Sequence, residues 1–121
     1  EPYRRQRQMC IRDRGNRAGD IAFVAEVNKL VVGAVWVRIM NDYGHIDDET
    51  PSLAISLLGK YRNYGIGTEL MRRMLDELKS CGYKQVSLSV QKQNYAVKMY
   101  EKVGFQILNE NEEEYVMVCR L

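Results

Sequence analysis

Residues 57–68 read LLGKYRNYGIGT and place two glycines, Gly65 and Gly67, two positions apart near the end of the stretch. An apolar run typical of a β-strand precedes them, and a periodic run typical of a helix follows. The N–H groups that begin a helix have no intrahelical partner and lie at the positive end of its dipole, so they bind phosphate well. Glycine lets the backbone approach such a ligand closely. The segment predicts a phosphate-binding loop, although two glycines alone are also typical of a plain strand-to-helix turn.

The helix predicted after this loop is amphipathic. Its apolar face consists of residues that recur every fourth position, namely Ile66, Leu70, Met74 and Leu78. Gly82 then provides a C-terminal stop signal. A second helix is predicted over residues 94–103, and Gly104 ends it.

Strand patterns account for most of the remaining chain. Asn28 and Lys29 separate two runs rich in β-branched residues, which predicts an antiparallel hairpin. The predicted strands are 21–27, 30–40, 53–58, 86–90, 105–108 and 115–121. The order β-β-β-α-β-α-β-β predicts an α/β (α+β) sandwich with a mixed sheet of about six strands and at least one parallel crossover.

Composition sets limits on the class of protein. The chain has 121 residues, enough for one compact core, and we predict one domain over residues 20–121. No apolar run approaches the roughly 20 residues that a membrane helix needs. The three cysteines are widely separated, unlike those of a disulfide framework or a zinc site. We therefore expect a soluble, cytoplasmic protein with reduced thiols, no metal and no membrane partner.

The N-terminal segment differs from the remainder in charge. Residues 1–17 carry +4, against −2 for the other residues, because they contain Arg4, Arg5, Arg7, Arg12, Arg14 and Arg17. Clustered arginines attract nucleic-acid phosphate, but a solvated tail is the more frequent outcome, and no nucleic-acid partner is predicted. The stretch Arg5–Arg14 (RQRQMCIRDR) resembles translated sequencing-adapter sequence. We predict that residues 1–19 are a basic tail, disordered or artefactual.

Two motifs resemble the signatures of one family. Arg62–Gly67 (RNYGIG) resembles the Q/R-x-x-G-x-G/A signature of the GNAT superfamily of N-acetyltransferases. About thirty residues downstream, a second set is similar to the family pattern N-x(1-2)-A-x(3)-Y-x(3)-G-F, and it comprises Asn94, Ala96, Tyr100, Gly104 and Phe105. A Rossmann loop would have a third glycine, and a Walker loop would have Lys followed by Ser or Thr. Two signatures in the correct order are far more specific than either alone.

The resemblance implies acetyl-CoA as cofactor, acetyl transfer to a primary amine of a small molecule or peptide, and a defined binding site. Loop amides would hold the diphosphate, strand backbone would pair with the pantetheine arm, and an amide near Leu57 would stabilise the oxyanion. The implied cofactor-binding residues are Ile55, Ser56, Leu57, Arg62, Asn63, Tyr64, Gly65, Ile66, Gly67, Thr68 and Asn94. Relatives commonly have one more residue between this Asn and Ala, so Gln93 is the alternative to Asn94.

The resemblance implies that Tyr100 is the general acid. A tyrosine has a reference pKa near 10, above about 8.5 for a thiol, so it stays protonated at neutral pH and can supply the proton that the departing thiolate needs. The general base has several candidates, since no pattern selects among Glu26, Asp47, Asp48 and Glu49. We choose Glu49, which lies just before the third strand; a water chain or bulk solvent is the alternative.

Complete domains of this family begin with a further strand and two helices, which would precede Asp20. The resemblance therefore implies a domain that lacks these elements. Their absence would expose an apolar sheet face and favour self-association as a homodimer. Two other functions stay open: a non-catalytic acyl-CoA-binding module and an inactive fragment of the same fold.

Overall fold

A computed structural model describes residues 9–13, 20–38 and 50–121, which form one mixed sheet and two α-helices. The strands are β1 (Met9–Asp13), β2 (Asp20–Val27), β3 (Leu30–Arg38), β4 (Ser52–Leu57), β5 (Gln85–Gln91), β6 (Gln106–Glu110) and β7 (Glu114–Arg120). The helices are α1 (Ile66–Ser80) and α2 (Ala96–Lys102), and a short 3₁₀ turn spans Gly59–Tyr61.

The predicted hairpin is formed by β2 and β3, which pair antiparallel. Its two turn residues, Asn28 and Lys29, have φ values of 52° and 70°. Positive φ at both central residues is the geometry of a type I′ turn, whose twist matches that of the flanking strands.

The sheet has the strand order β1-β2-β3-β4-β5-β7-β6. β4 and β5 run parallel, whereas the other neighbouring strands run antiparallel. The chain passes from β4 to β5 through α1, so the predicted mixed α/β sheet with a parallel crossover is confirmed.

The sheet has seven strands, one more than predicted. The additional strand, β1, pairs antiparallel with β2 and places Ile11 opposite Ala25. This strand lies within residues 1–19, for which the sequence predicts a basic tail, disordered or artefactual. The edge of β2 explains the difference, because unpaired main-chain groups there accept another strand, and Ile11 packs against the core. Charge alone gave no sign of this long-range pairing.

The apolar face of α1 lies on the sheet and forms the centre of the core. Its side chains are fully buried at Ile66, Leu70, Met71, Met74 and Leu78. Burying each one contributes about 1.5–3 kcal/mol to folding. This packing fixes the helix axis, and with it the position of the helix N-terminus next to the end of β4.

Candidate active site

The carboxyl ends of β4 and β5 lie apart, although the two strands are neighbours in the sheet. In the described part of the chain, their register contains the single pair Ser52 opposite Ser87. The N–H of Ser87 donates to the carbonyl of Pro51 at 3.0 Å, just before that pair. β4 continues to Leu57 without further register to β5, so a gap opens between the strand ends.

The main chain of β4 presents hydrogen-bonding groups to this gap. The N–H of Leu58 donates to the carbonyl of Val32 at 2.8 Å, so residue 58 is directed towards β3. Successive residues of a strand direct their N–H and C=O groups to opposite sides. The main-chain groups of Ile55 and Leu57 therefore face the β5 side, where β4 lacks a strand partner.

A cavity of about 660 Å³ occupies the gap. This volume lies within the range of about 300–1,000 Å³ that is typical of small-molecule sites. The cavity gathers both predicted signatures and the end of β4, because the residues that line it include Ile55, Ser56, Leu57, Arg62, Asn63, Gly65, Gly67, Thr68, Asn94 and Tyr100.

The first turn of α1 points donors at this cavity. Gly65 precedes the helix with φ 83°, and Asn63 has φ 69°. The first intrahelical bond is donated by Glu69 to the carbonyl of Gly65 at 3.1 Å. The three preceding helical N–H groups, on residues 66–68, have no intrahelical acceptor. They form a concentrated donor set at the positive end of a 15-residue helix.

Gly67 brings α1 and α2 together. A Cβ atom at this position would lie 3.2 Å from the Sδ atom of Met99, which is on α2 and also lines the cavity. A side chain here would therefore require the Met99 side chain to move by a few tenths of an ångström. Glycine keeps the first turn of α1 close to the α2 wall of the cavity.

Asn94 caps the other helix. Its Oδ1 atom accepts a hydrogen bond from the N–H of Ala96 at 2.8 Å, and its carbonyl accepts one from Val97 at 3.2 Å. Its side-chain oxygen is thus used within the protein, and this bond does not involve the Nδ2 donors of the same side chain. Gln93, the alternative to Asn94, also lines the cavity.

Tyr100 is a buried side chain that reaches the cavity. It is 7% exposed, and its ring lies 6.1 Å from that of Phe105 in a tilted arrangement. Burial raises the pKa of Tyr100 above its ordinary value of 10.0, and the nearby Tyr95 raises it further. The phenol therefore keeps its proton at neutral pH and can act as a proton donor.

A second tyrosine lies on the same wall. Tyr95 is 60% exposed and lines the cavity. The guanidinium carbon of Arg62 lies 5.3 Å from the centre of its ring, within cation–π range. This contact joins the loop before α1 to the segment before α2.

Other predicted residues lie elsewhere. The side chain of Ile66 is fully buried in the core, and Tyr64 packs against that core. Neither lines the cavity. Among the predicted bases, Glu26 lies in β2 away from the cavity lining, whereas residues 47–49, including Glu49, lie outside the described residues.

Sequence reasoning assigned no role to Tyr95, Met99 or Gln91, which also line the cavity. A helical spacing of three and four residues puts Ala96, Met99 and Tyr100 on one face of α2. This spacing could have predicted that Met99 lies on the same side of the helix as Tyr100. Tyr95 and Gln91 precede or lie outside the helix, so periodicity does not identify them.

Across residues 9–13, 20–38 and 50–121, no group of three or more His, Cys, Asp or Glu is placed to hold a metal ion. Within those ranges no helix has both the length and the apolarity that crossing a bilayer requires.

Comparison with known sequences identifies relatives. The sequence model of the acetyltransferase (GNAT) family matches residues 1–105. The probable N-acetyltransferase san of Drosophila melanogaster is 33% identical over 100 residues, which cover 81% of this chain and 53% of that protein. N-alpha-acetyltransferase 50 of Danio rerio is 30% identical over 99 residues, or 80% of this chain and 58% of that protein. The chain spans about half the length of these curated relatives.

Solved structures share the fold. The PaiA N-acetyltransferase of Thermoplasma acidophilum, solved in complex with coenzyme A, matches with a TM-score of 0.73 and 19% sequence identity. The match covers 85% of this chain and 62% of that one. At this identity the likeness concerns the arrangement of strands and helices.

Proposed function

This chain belongs to the acetyltransferase (GNAT) family, and from that membership we propose that it transfers an acetyl group from acetyl-CoA to a primary amine. The observation that carries the proposal is the cavity between the separated ends of β4 and β5. Residues from both sequence signatures line it, and they include the start of α1, which has free N–H donors for an anion, and the buried phenol of Tyr100.

The start of α1 fits the diphosphate of coenzyme A. A diphosphate requires several converging donors, and the N–H groups of residues 66–68 provide them at the positive end of the helix dipole. Arg62 lines the same cavity and adds a charge-assisted contact. Gly65, with its positive φ, and Gly67, which lies close to Met99, give the main chain of this turn the freedom to approach a phosphate closely.

The edge of β4 fits the pantetheine arm. This arm contains two amides, and the main-chain groups of Ile55 and Leu57 on the β5 side can pair with them as a further strand would. An arm bound along β4 extends the acyl group from the diphosphate towards Tyr100.

The reaction follows from the groups around the thioester. The neutral amine attacks the carbonyl carbon, and the tetrahedral oxyanion is stabilised by an N–H group near Leu57. When the C–S bond breaks, Tyr100 donates its proton to the departing sulfur, and an amide and free coenzyme A are formed. The ammonium proton of the acceptor passes to solvent, or to Glu49 if that predicted base operates, and solvent reprotonates Tyr100.

The relatives indicate which acceptors to assay first. Two curated relatives are named N-acetyltransferase and N-alpha-acetyltransferase, so peptides with free N-termini come before aminoglycosides, amino acids and small amines. The whole panel is needed because the match covers only about half of each relative, so the acceptor of a relative does not carry over to this chain.

Ligand-induced stabilisation tests the binding part of the proposal. A ligand at about 100 times its Kd stabilises a protein by about 2.7 kcal/mol. We expect saturating acetyl-CoA to raise the Tm by several degrees, and AMP or NAD at equal concentration to raise it less. An unchanged Tm with acetyl-CoA would remove the proposal and favour an inactive fragment of the same fold.

Turnover tests the chemistry. The release of free coenzyme A is followed with a thiol reagent while the amine panel is varied, and product mass is measured in parallel. We expect release that depends on both acetyl-CoA and the acceptor. Stabilisation by acetyl-CoA without acceptor-dependent release would instead support an acyl-CoA-binding module.

A further inference from the structure

The contact between Arg62 and Tyr95 spans the cavity mouth. Its two members belong to different segments, the loop before α1 and the residues before α2, and both line the cavity. The guanidinium carbon lies 5.3 Å from the ring centre. Tyr95 is 60% exposed, so its ring contributes little to the core.

Stacking leaves an arginine able to bind an anion. The guanidinium is planar, and its five N–H donors lie in that plane, whereas the aromatic ring contacts its face. With its Cζ held over the ring of Tyr95, Arg62 can therefore still donate through its N–H edge to a phosphate. An unstacked arginine on the surface samples many rotamers, and ordering it on binding costs free energy. A ring already holding the guanidinium reduces that cost.

We propose that Tyr95 is a positioning residue, whose ring holds the Arg62 guanidinium over the cavity so that its N–H edge donates to the diphosphate. This inference rests on the proposed function, since the anion it concerns is that of coenzyme A. Tyr95 acts through Arg62 and needs no contact with the reacting atoms. The ring, rather than the hydroxyl, carries the effect.

Three variants and their combination test the proposal by titration calorimetry with coenzyme A. Arg62→Gln removes the charged donor and should raise the Kd about tenfold. Tyr95→Leu removes the ring and should raise the Kd about threefold to fivefold. Tyr95→Phe keeps the ring and should stay within about twofold of the parent. In the Arg62→Gln background, Tyr95→Leu should have no further effect.

A control contact lies outside the cavity lining, although Lys92 is flanked by Gln91 and Gln93, which do line it. Lys92 lies over the ring of Tyr115 at the same 5.3 Å, and neither residue lines the cavity. Lys92→Gln removes a cation–π contact at the same distance, together with the ion pair between Lys92 and Glu110, and should leave the Kd for coenzyme A unchanged. A change equal to that of Tyr95→Leu would show a general effect of lost surface contacts, and would overturn the proposal.

A ligand-free measurement reports the contact itself. In NMR spectra, the ring current of Tyr95 should shift the side-chain signals of Arg62 upfield in the parent and in Tyr95→Phe, and this shift should vanish in Tyr95→Leu. A persistent shift in Tyr95→Leu, or a Kd effect of Tyr95→Leu that survives in Arg62→Gln, would overturn the positioning role alone. Failure of the parent to bind coenzyme A would overturn the proposed function and this inference together.

Discussion

Two helix N-termini border the same cavity, and they differ in whether their first main-chain N–H groups have acceptors within the protein. α1 begins after Gly65, which has no side chain to cap it, and its first internal bond is donated by Glu69. Before α2, Asn94 accepts hydrogen bonds from Ala96 and Val97 through its side chain and its carbonyl. The first helix thus leaves donors for a ligand, whereas the second satisfies its own.

The difference suggests a division of roles between the two regions. α1 has 15 residues and a glycine at its start, which suits an anion at the positive end of its dipole. α2 has 7 residues, and besides Ala96 and Met99 it contributes the buried phenol of Tyr100 to the cavity. One region would bind the cofactor and the other would carry the proton transfer, so each can be disabled while the other is preserved.

The largest expected effect comes from removing the phenol. Tyr100→Phe retains the buried ring next to Phe105 but deletes the proposed acid. We expect kcat to fall about 100-fold, because a general acid contributes roughly 10²–10⁴-fold, while the Kd for coenzyme A stays within about twofold. Steady-state rates and calorimetry measure the two quantities. Tyr83→Phe, at a half-buried tyrosine outside the cavity lining, is the control. Equal kcat values for Tyr100→Phe and the parent would remove Tyr100 from the mechanism.

The next largest effect is expected from a side chain that blocks the N–H groups at the start of α1. Gly65→Val puts a β-branched residue at φ 83° and a side chain beside the first-turn donors. We expect the Kd for coenzyme A to rise at least about tenfold.

Gly82→Val is the matched control, because Gly82 has φ 91° at the far end of α1 and open space around its missing Cβ. Both variants should lose about 1–3 kcal/mol of stability from backbone strain. Only Gly65→Val should weaken binding. Equal Kd values for the two variants would place the diphosphate elsewhere.

The binding region at the start of α1 could be predicted from sequence more fully than the region around Tyr100 that would carry the proton transfer. The glycine spacing and the apolar period of α1 are local patterns, and the structure has both the turn and the helix where they predict them. The cavity also gathers Arg62, Asn94 and Tyr100 from separate signatures. Their individual roles remain predictions that the variants above test.

Contacts between distant segments could not be predicted in this way. β1 pairs with an open strand edge, and no local period distinguishes its five residues from a charged tail. The cation–π contact between Arg62 and Tyr95 depends on how α1 and α2 pack, which the close approach of Gly67 to Met99 helps to set. Glu49, chosen as base from its position before a strand, lies outside the described residues and stays a prediction.

A smaller effect separates the cap of α2 from any ligand contact by Asn94. Asn94→Ala removes an N-cap and should cost about 1 kcal/mol, or roughly 4 °C in Tm. Asn94→Ser restores a capping oxygen but has a shorter reach, so it should recover most of the Tm. If Asn94 also donates to pantetheine, Asn94→Ser should still bind coenzyme A several-fold more weakly than the parent. Thermal unfolding and calorimetry distinguish the roles. Full recovery of both Tm and Kd in Asn94→Ser would leave Asn94 with the cap alone.

The smallest expected effect concerns the pH at which the Tyr100 phenol loses its proton. The pKa of Tyr100 is raised above 10.0, first by burial and then by Tyr95. Because the folded state holds this proton more tightly than the unfolded chain, its contribution to stability is fully present below pH 10 and is lost as the pH rises through the folded pKa. The tyrosinate titration of the parent minus that of Tyr100→Phe should therefore show a transition above pH 10.

Tyr95→Phe should move that transition to slightly lower pH, because it removes the second cause and leaves burial, the larger one, in place. The same titration, with Tyr100→Phe/Tyr95→Phe as the reference, measures the shift. A transition at or below pH 10 in the parent would mean that water reaches the phenol. Tyr100 would then be as accessible to water as the start of α1. The proposed difference between an open binding region at α1 and a buried proton donor on α2 would be wrong.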